Sequence, residues 1–311
     1  MRILVTGAAG WIGAQVVRNL VEGGHDVLGM VRPTRALRQE HRSPLPSMQL
    51  LSADLRSPGG WTDAVRRFAP QSCVHCAWHV APADYLVAHD NIDCIADGLK
   101  LLDVLASVGC RRAVYVGTCA EYDAKAGYHR EDGPTRPGTL YGAAKLTLSV
   151  AAASAARDAG IEFVWARLFS LYGPRENPQR PLPRLIEALL DGRRFAASNG
   201  LQVRDYLHVD DCAAGLCALA LQGAPGEYNV CSGLPVQLRV LMETVETIVG
   251  RSGLIAFGEV NRRAWDPSFI CGDPSKLIRE TGWSSKLPLF NGLQSTVAWW
   301  SDYLTATSEH R

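Results

Sequence analysis

Residues 2–31 read "RILVTGAAGWIGAQVVRNLVEGGHDVLGMV". The short β-branched run "RILVTG" predicts a strand, "WIGAQVVRNLVEGG" has the apolar spacing of a helix, and "DVLGMV" predicts a second strand. Gly7, Gly10 and Gly13 therefore fall between the first strand and the first helix. Glycines at that junction allow a tight turn, let backbone N–H groups approach a pyrophosphate, and let the helix pack closely on the strand with its N-terminus toward the anion. The spacing is Gly-x-x-Gly-x-x-Gly, not the Gly-x-Gly-x-x-Gly of the usual dinucleotide fingerprint. Its place directly between strand and helix favours a phosphate loop over a plain turn.

The same alternation continues. "CVHCA", "RAVYVGT" and "EFVWARLFS" read as further strands, mostly with helical patterns between them, and Gly24 and Gly109 stand where helix C-caps are expected. Strands alternating with helices predict an α/β protein with a Rossmann-like, doubly wound parallel sheet. After Ser170 the texture changes to the Pro-rich "LYGPRENPQRPLPR" and to smaller pieces such as "GDPSKLIRETGW". We therefore expect a cofactor-binding domain from residues 1–170, with part of 205–225 returning to it. Residues 171–311 should form mainly a smaller C-terminal α/β lobe for substrate.

A chain of 311 residues with 47% hydrophobic content is long enough for such a core and a second lobe. Its 32 basic against 31 acidic residues leave no electrostatic footprint for nucleic acid or an anionic membrane. No leader-like run opens "MRILVTGAAG", and no stretch of about 18 apolar residues occurs, so a cytoplasmic chain without membrane spans is expected. The nine cysteines are scattered in apolar segments, as in a reducing compartment. Cys73 and Cys76 form a Cys-x-x-Cys without a second pair at zinc spacing, so packing is expected and no metal.

At the end of the second strand an acid would bind the adenosine ribose of NAD. Here Val31 stands there, followed by Arg32 and then Arg35. Arginine suits a 2′-phosphate, which favours NADP over NAD, with a solvated basic loop as the alternative. Asp54, with Leu55 beside it, follows the third strand as a candidate contact to the adenine edge, or as a cap.

Tyr141 and Lys145 lie four apart in the Ala-rich "LYGAAKLTLSVAAASAA". On a helix that spacing puts both side chains on one face, about 6 Å apart at the base. An ammonium so close is expected to lower the phenol's pKa and prepare it for proton exchange, while the same Lys donates to a nicotinamide ribose. Thr118, just after "RAVYVG", is placed to hydrogen-bond the same substrate oxygen.

Together, "VTGAAGWIG", "VYVGTCAEYD", "LYGAAKL", "RLFSLYGPRENP" and "VRDYLHVDD" resemble the extended short-chain dehydrogenase/reductase family of nucleotide-sugar epimerases, dehydratases and reductases. The motifs fall in order along nearly the whole chain. The resemblance implies Thr118, Tyr141 and Lys145 as a catalytic triad, Trp11 and Ile12 on the cofactor pyrophosphate, and Ala77 and Phe169 beside the cofactor. It also implies Arg204 of "VRDY" and Arg263 of "RRAWD" as the grip on the nucleotide-sugar diphosphate, with Arg175 a third candidate. Arginine's planar fork pairs with phosphate oxygens bidentately. A homodimer through helices of the cofactor domain is a further implication.

Departures from the family pattern narrow the reaction. The family's 4,6-dehydratases carry Asp-Glu after the catalytic Thr, its decarboxylases a Glu directly after that hydroxyl residue, and its 3,5-epimerase and fucose-type reductases a Cys two places on. This chain has Cys119 and Ala120. Two activities remain: NADPH-dependent reduction of a nucleotide-linked 4-keto-6-deoxy sugar, with Tyr141 as proton donor, and 4-epimerisation with a retained cofactor. Family epimerases resemble the NAD pattern and have Asn where Ser170 stands, so Arg32 and Ser170 favour the reductase. "AWHVAPADY", with Trp78, His79 and Tyr85, lines the sugar pocket in this reading, and Trp78 serves equally as packing. A non-catalytic cofactor-binding regulator is the alternative of another class, although such proteins typically lack the Tyr or the Lys, and both are present.

Overall fold

Seven strands carry the β-rich runs into one parallel sheet. The computed structural model describes residues 1–33, 48–57, 59–81, 83–261 and 266–308. In chain order the strands are β1 (Arg2–Thr6), β2 (Asp26–Val31), β3 (Met48–Ser52), β4 (Ser72–His75), β5 (Arg112–Thr118), β6 (Tyr128–His129), β7 (Glu162–Leu168), β8 (Ser170–Tyr172), β9 (Phe195–Ala197), β10 (Val203–His208), β11 (Gly226–Val230), β12 (Pro235–Gln237), β13 (Ile255–Phe257) and β14 (Phe269–Gly272). The helices are α1 (Trp11–Glu22), α2 (Trp61–Phe68), α3 (Asp90–Ser107), α4 (Leu140–Asp158), α5 (Pro181–Leu190), α6 (Val209–Leu221), α7 (Leu238–Val249), α8 (Ser275–Thr281) and α9 (Leu289–Ser308).

The large sheet runs β11-β7-β5-β4-β1-β2-β3, every neighbouring pair parallel. Successive side chains on a strand point to opposite faces. Thus Ile3 and Val5 of β1 pack with α1 and α6, while Leu4 packs with α3 and α4 on the other side. Both faces are covered, which is why these strands are almost continuously apolar. The strand order reverses between β1 and β4, and in such sheets the crevice outside the strands' carboxyl ends at that point is where ligands bind.

The chain returns to this sheet as far as Val230, through α6 and then β11, which pairs with β7. Arg112 of β5 fastens the return. Its guanidinium donates to the Leu219 carbonyl at 2.5 Å and the Gln222 carbonyl at 2.7 Å, and pairs with Glu162 at 2.7 Å. Two of those acceptors lie at the C-terminal end of α6, where carbonyls lack helical partners and a cation is favoured.

The smaller lobe holds a sheet in the order β12-β10-β14-β6, β8 paired to β10, and a β9–β13 ribbon. Its core is packed by α5, α7 and α9. Within "VRDYLHVDD" two acids serve this architecture. The buried Asp205 carboxylate accepts from Ser232 N and Oγ at 2.7 Å and from Gly233 N at 2.9 Å. Asp211 accepts from the backbone of Lys286 and Leu287 at 3.1 and 2.9 Å. Among the described residues no helix is long and apolar enough to cross a membrane, and no cluster could hold a metal ion.

Candidate active site

A cavity of about 950 Å³ opens at the carboxyl ends of β1, β4 and β5 and is also lined by Arg204, Asp266 and Ile270 of the smaller lobe. One end is built from backbone. Gly7 holds φ at +67°, and a Cβ on it would meet Ala77 N at 2.9 Å; a Cβ on Gly13 would lie 2.2 Å from the Gly7 carbonyl oxygen. Only hydrogen fits at either place, so α1 begins hard against β1 and β4. Gly10 caps α1 without a side-chain hydrogen bond, and the first turn carries no acid. The N–H groups of Trp11, Ile12 and Gly13 are thus left facing the cavity at a positive helix end, which fits a pyrophosphate. Trp11 Nε1 donates to the Pro174 carbonyl at 2.8 Å, strapping this loop to the segment after β8.

Arg32, Asp54 and Leu55 line the same end, and Arg32 is exposed with no ion pair among the described residues. Neighbouring Arg56 is engaged by three acids of α3, Asp90, Asp93 and Asp97, at 2.8, 3.4 and 3.5 Å. Arg35 lies outside the described residues. At the β4 end, Ala77 N donates to Thr6 Oγ1 at 3.2 Å, and that hydroxyl is hydrogen-bonded to His75 Nδ1 at 2.7 Å. Burial, then the positive Lys145, lowers the His75 pKa to about 3, so this imidazole stays neutral.

The reactive wall is assembled by three contacts. Thr139 caps α4, accepting from Gly142 N at 3.1 Å. A Cβ on Gly142 would stand 2.4 Å from the Ala120 carbonyl oxygen, so glycine lets the first turn of α4 lie on the turn after Thr118. Glu121 locks that turn from beneath. Fully buried, it accepts from Thr118 N at 2.7 Å, Trp165 Nε1 at 2.9 Å and Arg167 Nε at 2.8 Å. Burial pushes its pKa up while Arg167 opposes, and both ions of the pair are shielded from water.

Thr118, Tyr141 and Lys145 all line the cavity. The Thr118 hydroxyl accepts from Ala120 N at 3.2 Å and lies close enough to the Tyr141 phenol to favour its ionised form. Lys145 Nζ donates to the Val116 carbonyl at 2.5 Å and sits 3.7 Å from the centroid of the Trp78 ring. Burial lowers its pKa to about 8. The expected depression of the Tyr141 phenol is not found. Burial raises its pKa, the nearby Tyr85 adds to this, and the Thr118 hydroxyl works the other way. The i,i+4 spacing places Lys145 on the right face, but its ammonium is directed to β5 and Trp78. Cys119 also lines the cavity, and burial raises its thiol to about 12, so no thiolate forms near neutral pH.

Trp78, Phe169, Ser170 and Arg204 complete the wall toward the smaller lobe. Trp78 is 7% exposed and donates from Nε1 to Asn91 Oδ1 at 2.8 Å, so it packs as well as lines. Arg204 pairs with Asp266 at 2.5 Å and donates to the Val203 carbonyl at 2.7 Å. Arg175 is not in the lining; it holds φ at 64°, and its buried Nε has no partner among the described residues. Arg263 lies outside the described residues. Sequence reasoning passed over Glu121, Glu176 and Arg180. Arg180 also lines the cavity, its guanidinium 4.7 Å from the Tyr85 ring, and Tyr85 packs edge-on against Tyr141 at 5.2 Å. The basic residues of "GPRENPQR" were the available signal for it.

The model of the NAD dependent epimerase/dehydratase family matches residues 3–231. A dTDP-glucose 4,6-dehydratase of Streptomyces griseus is 30% identical over 96% of this chain and 93% of its own length. A UDP-glucose 4-epimerase of Corynebacterium glutamicum is 28% identical over 91% of each. Among solved structures, the Bordetella bronchiseptica enzyme WbmG in complex with NAD and UDP superposes with a TM-score of 0.84 at 26% identity, over 97% of this chain and 96% of that one.

Proposed function

The chain belongs to the NAD-dependent epimerase/dehydratase family, and within it we propose that it catalyses reversible hydride transfer at C4 of a nucleotide-linked hexose, with C4 epimerisation as the net reaction. One observation carries the reading: Thr118, Tyr141 and Lys145 share one wall, while the two positions after Thr118 are Cys119 and Ala120, which supply no acid for an elimination. Glu121, the nearest carboxylate in sequence, is committed to Thr118 N, Trp165 and Arg167. That weighs against a dehydratase.

The glycine cradle and the open N-terminus of α1 fit a dinucleotide, with Trp11, Ile12 and Gly13 at the pyrophosphate and Arg32, Asp54 and Leu55 toward the adenosine. When bound, a nicotinamide supplies the acceptor and donor for the C4 hydride. Tyr141 exchanges the proton of O4, Thr118 hydrogen-bonds the same oxygen, and Lys145 supplies a positive charge that steadies the developing charge. Arg204 meets the nucleotide diphosphate, its fork prepared by Asp266. Trp11, tied to Pro174 across the cleft, favours a cofactor held through many turnovers, as an epimerase needs.

Ketoreduction with NADPH is the second reading. It is favoured by Arg32 on the cavity, suited to a 2′-phosphate, and by burial that keeps Tyr141 protonated, ready to donate to a 4-keto oxygen. The test is to supply nucleotide hexoses and 4-keto sugars with NAD, NADH or NADPH, following sugar products by chromatography and cofactor by absorbance. Interconversion of C4 epimers without net cofactor change supports the proposal. Stoichiometric NADPH oxidation with 4-keto sugars replaces it with the second reading, and binding without turnover in either arm points to a regulator.

A further inference from the structure

We propose that Glu176 is a specificity-determining residue of the sugar subsite: its unpaired carboxyl oxygen takes a hydroxyl of a neutral nucleotide-linked hexose and disfavours a hexuronate. The inference rests on the nucleotide-hexose reading above and names the sugar class.

Glu176 lies in the segment between β8 and α5, lines the cavity, and is 8% exposed. Its Oε2 is buried and has no hydrogen-bond partner among the described residues. A buried carboxyl oxygen without a partner is costly and uncommon, and in a residue that lines a ligand cavity a ligand group answers it once the carboxyl turns toward that cavity. The groups around it place that ligand's sugar. Arg180, close enough to act on the Glu176 carboxyl by its charge, sits on the Tyr85 ring, and Tyr85 rests against Tyr141. Tyr206 of β10 is near enough to feel the charge of Glu176, its phenol pushed up to about 12 mainly by burial, and the Arg204–Asp266 pair acts on it as well. No ion pair joins Glu176 to Arg180 among the described residues, so the carboxyl is not committed to structure as Glu121 is.

Burial raises Glu176 to about 8, with Arg180 opposing. At neutral pH the group is therefore mostly an uncharged carboxylic acid, able both to donate to and to accept from a sugar hydroxyl. A hexuronate would bring its charged carboxylate against the buried Glu176 carboxyl, where the anion gives up solvation that a neutral sugar does not have to lose, and where two carboxyl groups cannot both ionise without burying like charges. Raising the pH through about 8 ionises Glu176 and weakens its hold on a neutral sugar, because closing the site then buries a charge.

The experiment is calorimetric binding to the NAD-containing protein of UDP, UDP-glucose and UDP-glucuronate, or of the matching thymidine compounds if these bind more tightly. Wild type, Glu176→Gln and Glu176→Leu are compared at pH 7 and 9. The expected result is a preference for the hexose over the hexuronate of about tenfold or more, lost in Glu176→Leu, which also weakens the hexose about tenfold without moving UDP. Glu176→Gln keeps hexose affinity at pH 7 and removes the weakening that wild type shows at pH 9. Unchanged hexose affinity in Glu176→Leu, or equal affinity of wild type for the hexuronate, overturns the inference. Hexose binding no tighter than UDP in wild type overturns it together with the reading beneath it. The expected binding pattern without sugar turnover contradicts the catalytic reading alone.

Discussion

The two ends of the cavity are made of different materials. At the end proposed for the pyrophosphate the available groups are backbone: the glycine turn and the first N–H groups of α1. At the end proposed for the sugar they are side chains drawn from β5, α4, the segment before α5 and β10. The backbone end depends on steric rules that act within a dozen residues, so it is rigid and local. The side-chain end depends on which distant segments are brought side by side, so it is adjustable.

The largest break in that comparison is expected from Tyr141→Phe. Removing the phenol oxygen should lower kcat by about 10²–10⁴-fold, with KM for the nucleotide sugar moving much less. Retained turnover contradicts the assigned proton carrier. Next comes the support beneath Thr118. Arg167→Leu strands the buried Glu121 carboxylate and should cost about 3–5 kcal/mol in urea unfolding, together with activity. A stability within experimental error of wild type removes Glu121–Arg167 as the fastening of the site.

At the phosphate end, Gly13→Ala forces a methyl against the Gly7 carbonyl oxygen. Overpacking of about 1–3 kcal/mol should appear as weaker NAD binding, while UDP binding changes little. Equal losses for both ligands would show that the two ends are not independent. The pH profile sharpens the sugar end. Lys145 is lowered to about 8, so its ammonium is complete at acidic pH and is lost as pH rises through 8. The logarithm of kcat should therefore decline above pH 8, and Lys145→Arg, which stays charged, should shift that decline upward; a flat profile to higher pH contradicts a catalytic ammonium. The smallest effect is expected from Trp78→Phe, which keeps an aromatic face under Lys145 but loses the Asn91 hydrogen bond. About 1 kcal/mol of stability should go, measured by thermal unfolding, with kcat nearly unchanged.

The same contrast governs what the sequence discloses. "RILVTG", "DVLGMV" and "RAVYVGT" become β1, β2 and β5 because period, β-branching and flanking glycines are local signals. The glycine triplet is legible for the same reason. The Glu121–Arg167 pair is not, since its partners are 46 residues apart and meet only because β5 and β7 are neighbours. Asp205 and Asp211 sit in a motif that reads as functional, yet they accept from backbone N–H groups and serine hydroxyls of the smaller lobe. Tyr141 is the instructive case. The four-residue spacing to Lys145 is correct, but the phenol's pKa is set by burial, which spacing does not report. The similar solved structures described with a cofactor hold NAD, and Arg32 at the end of β2 and Ser170 at the start of β8 are the residues on which NADPH and ketoreduction rest.

The most direct test uses a nucleotide hexose carrying deuterium at C4 and mass spectrometry of the sugar product. Hydride removal and return at this site predicts the C4 epimer with the deuterium still at C4. Loss of the label to solvent, solvent hydrogen entering at C5, or no epimer formed at all would contradict it.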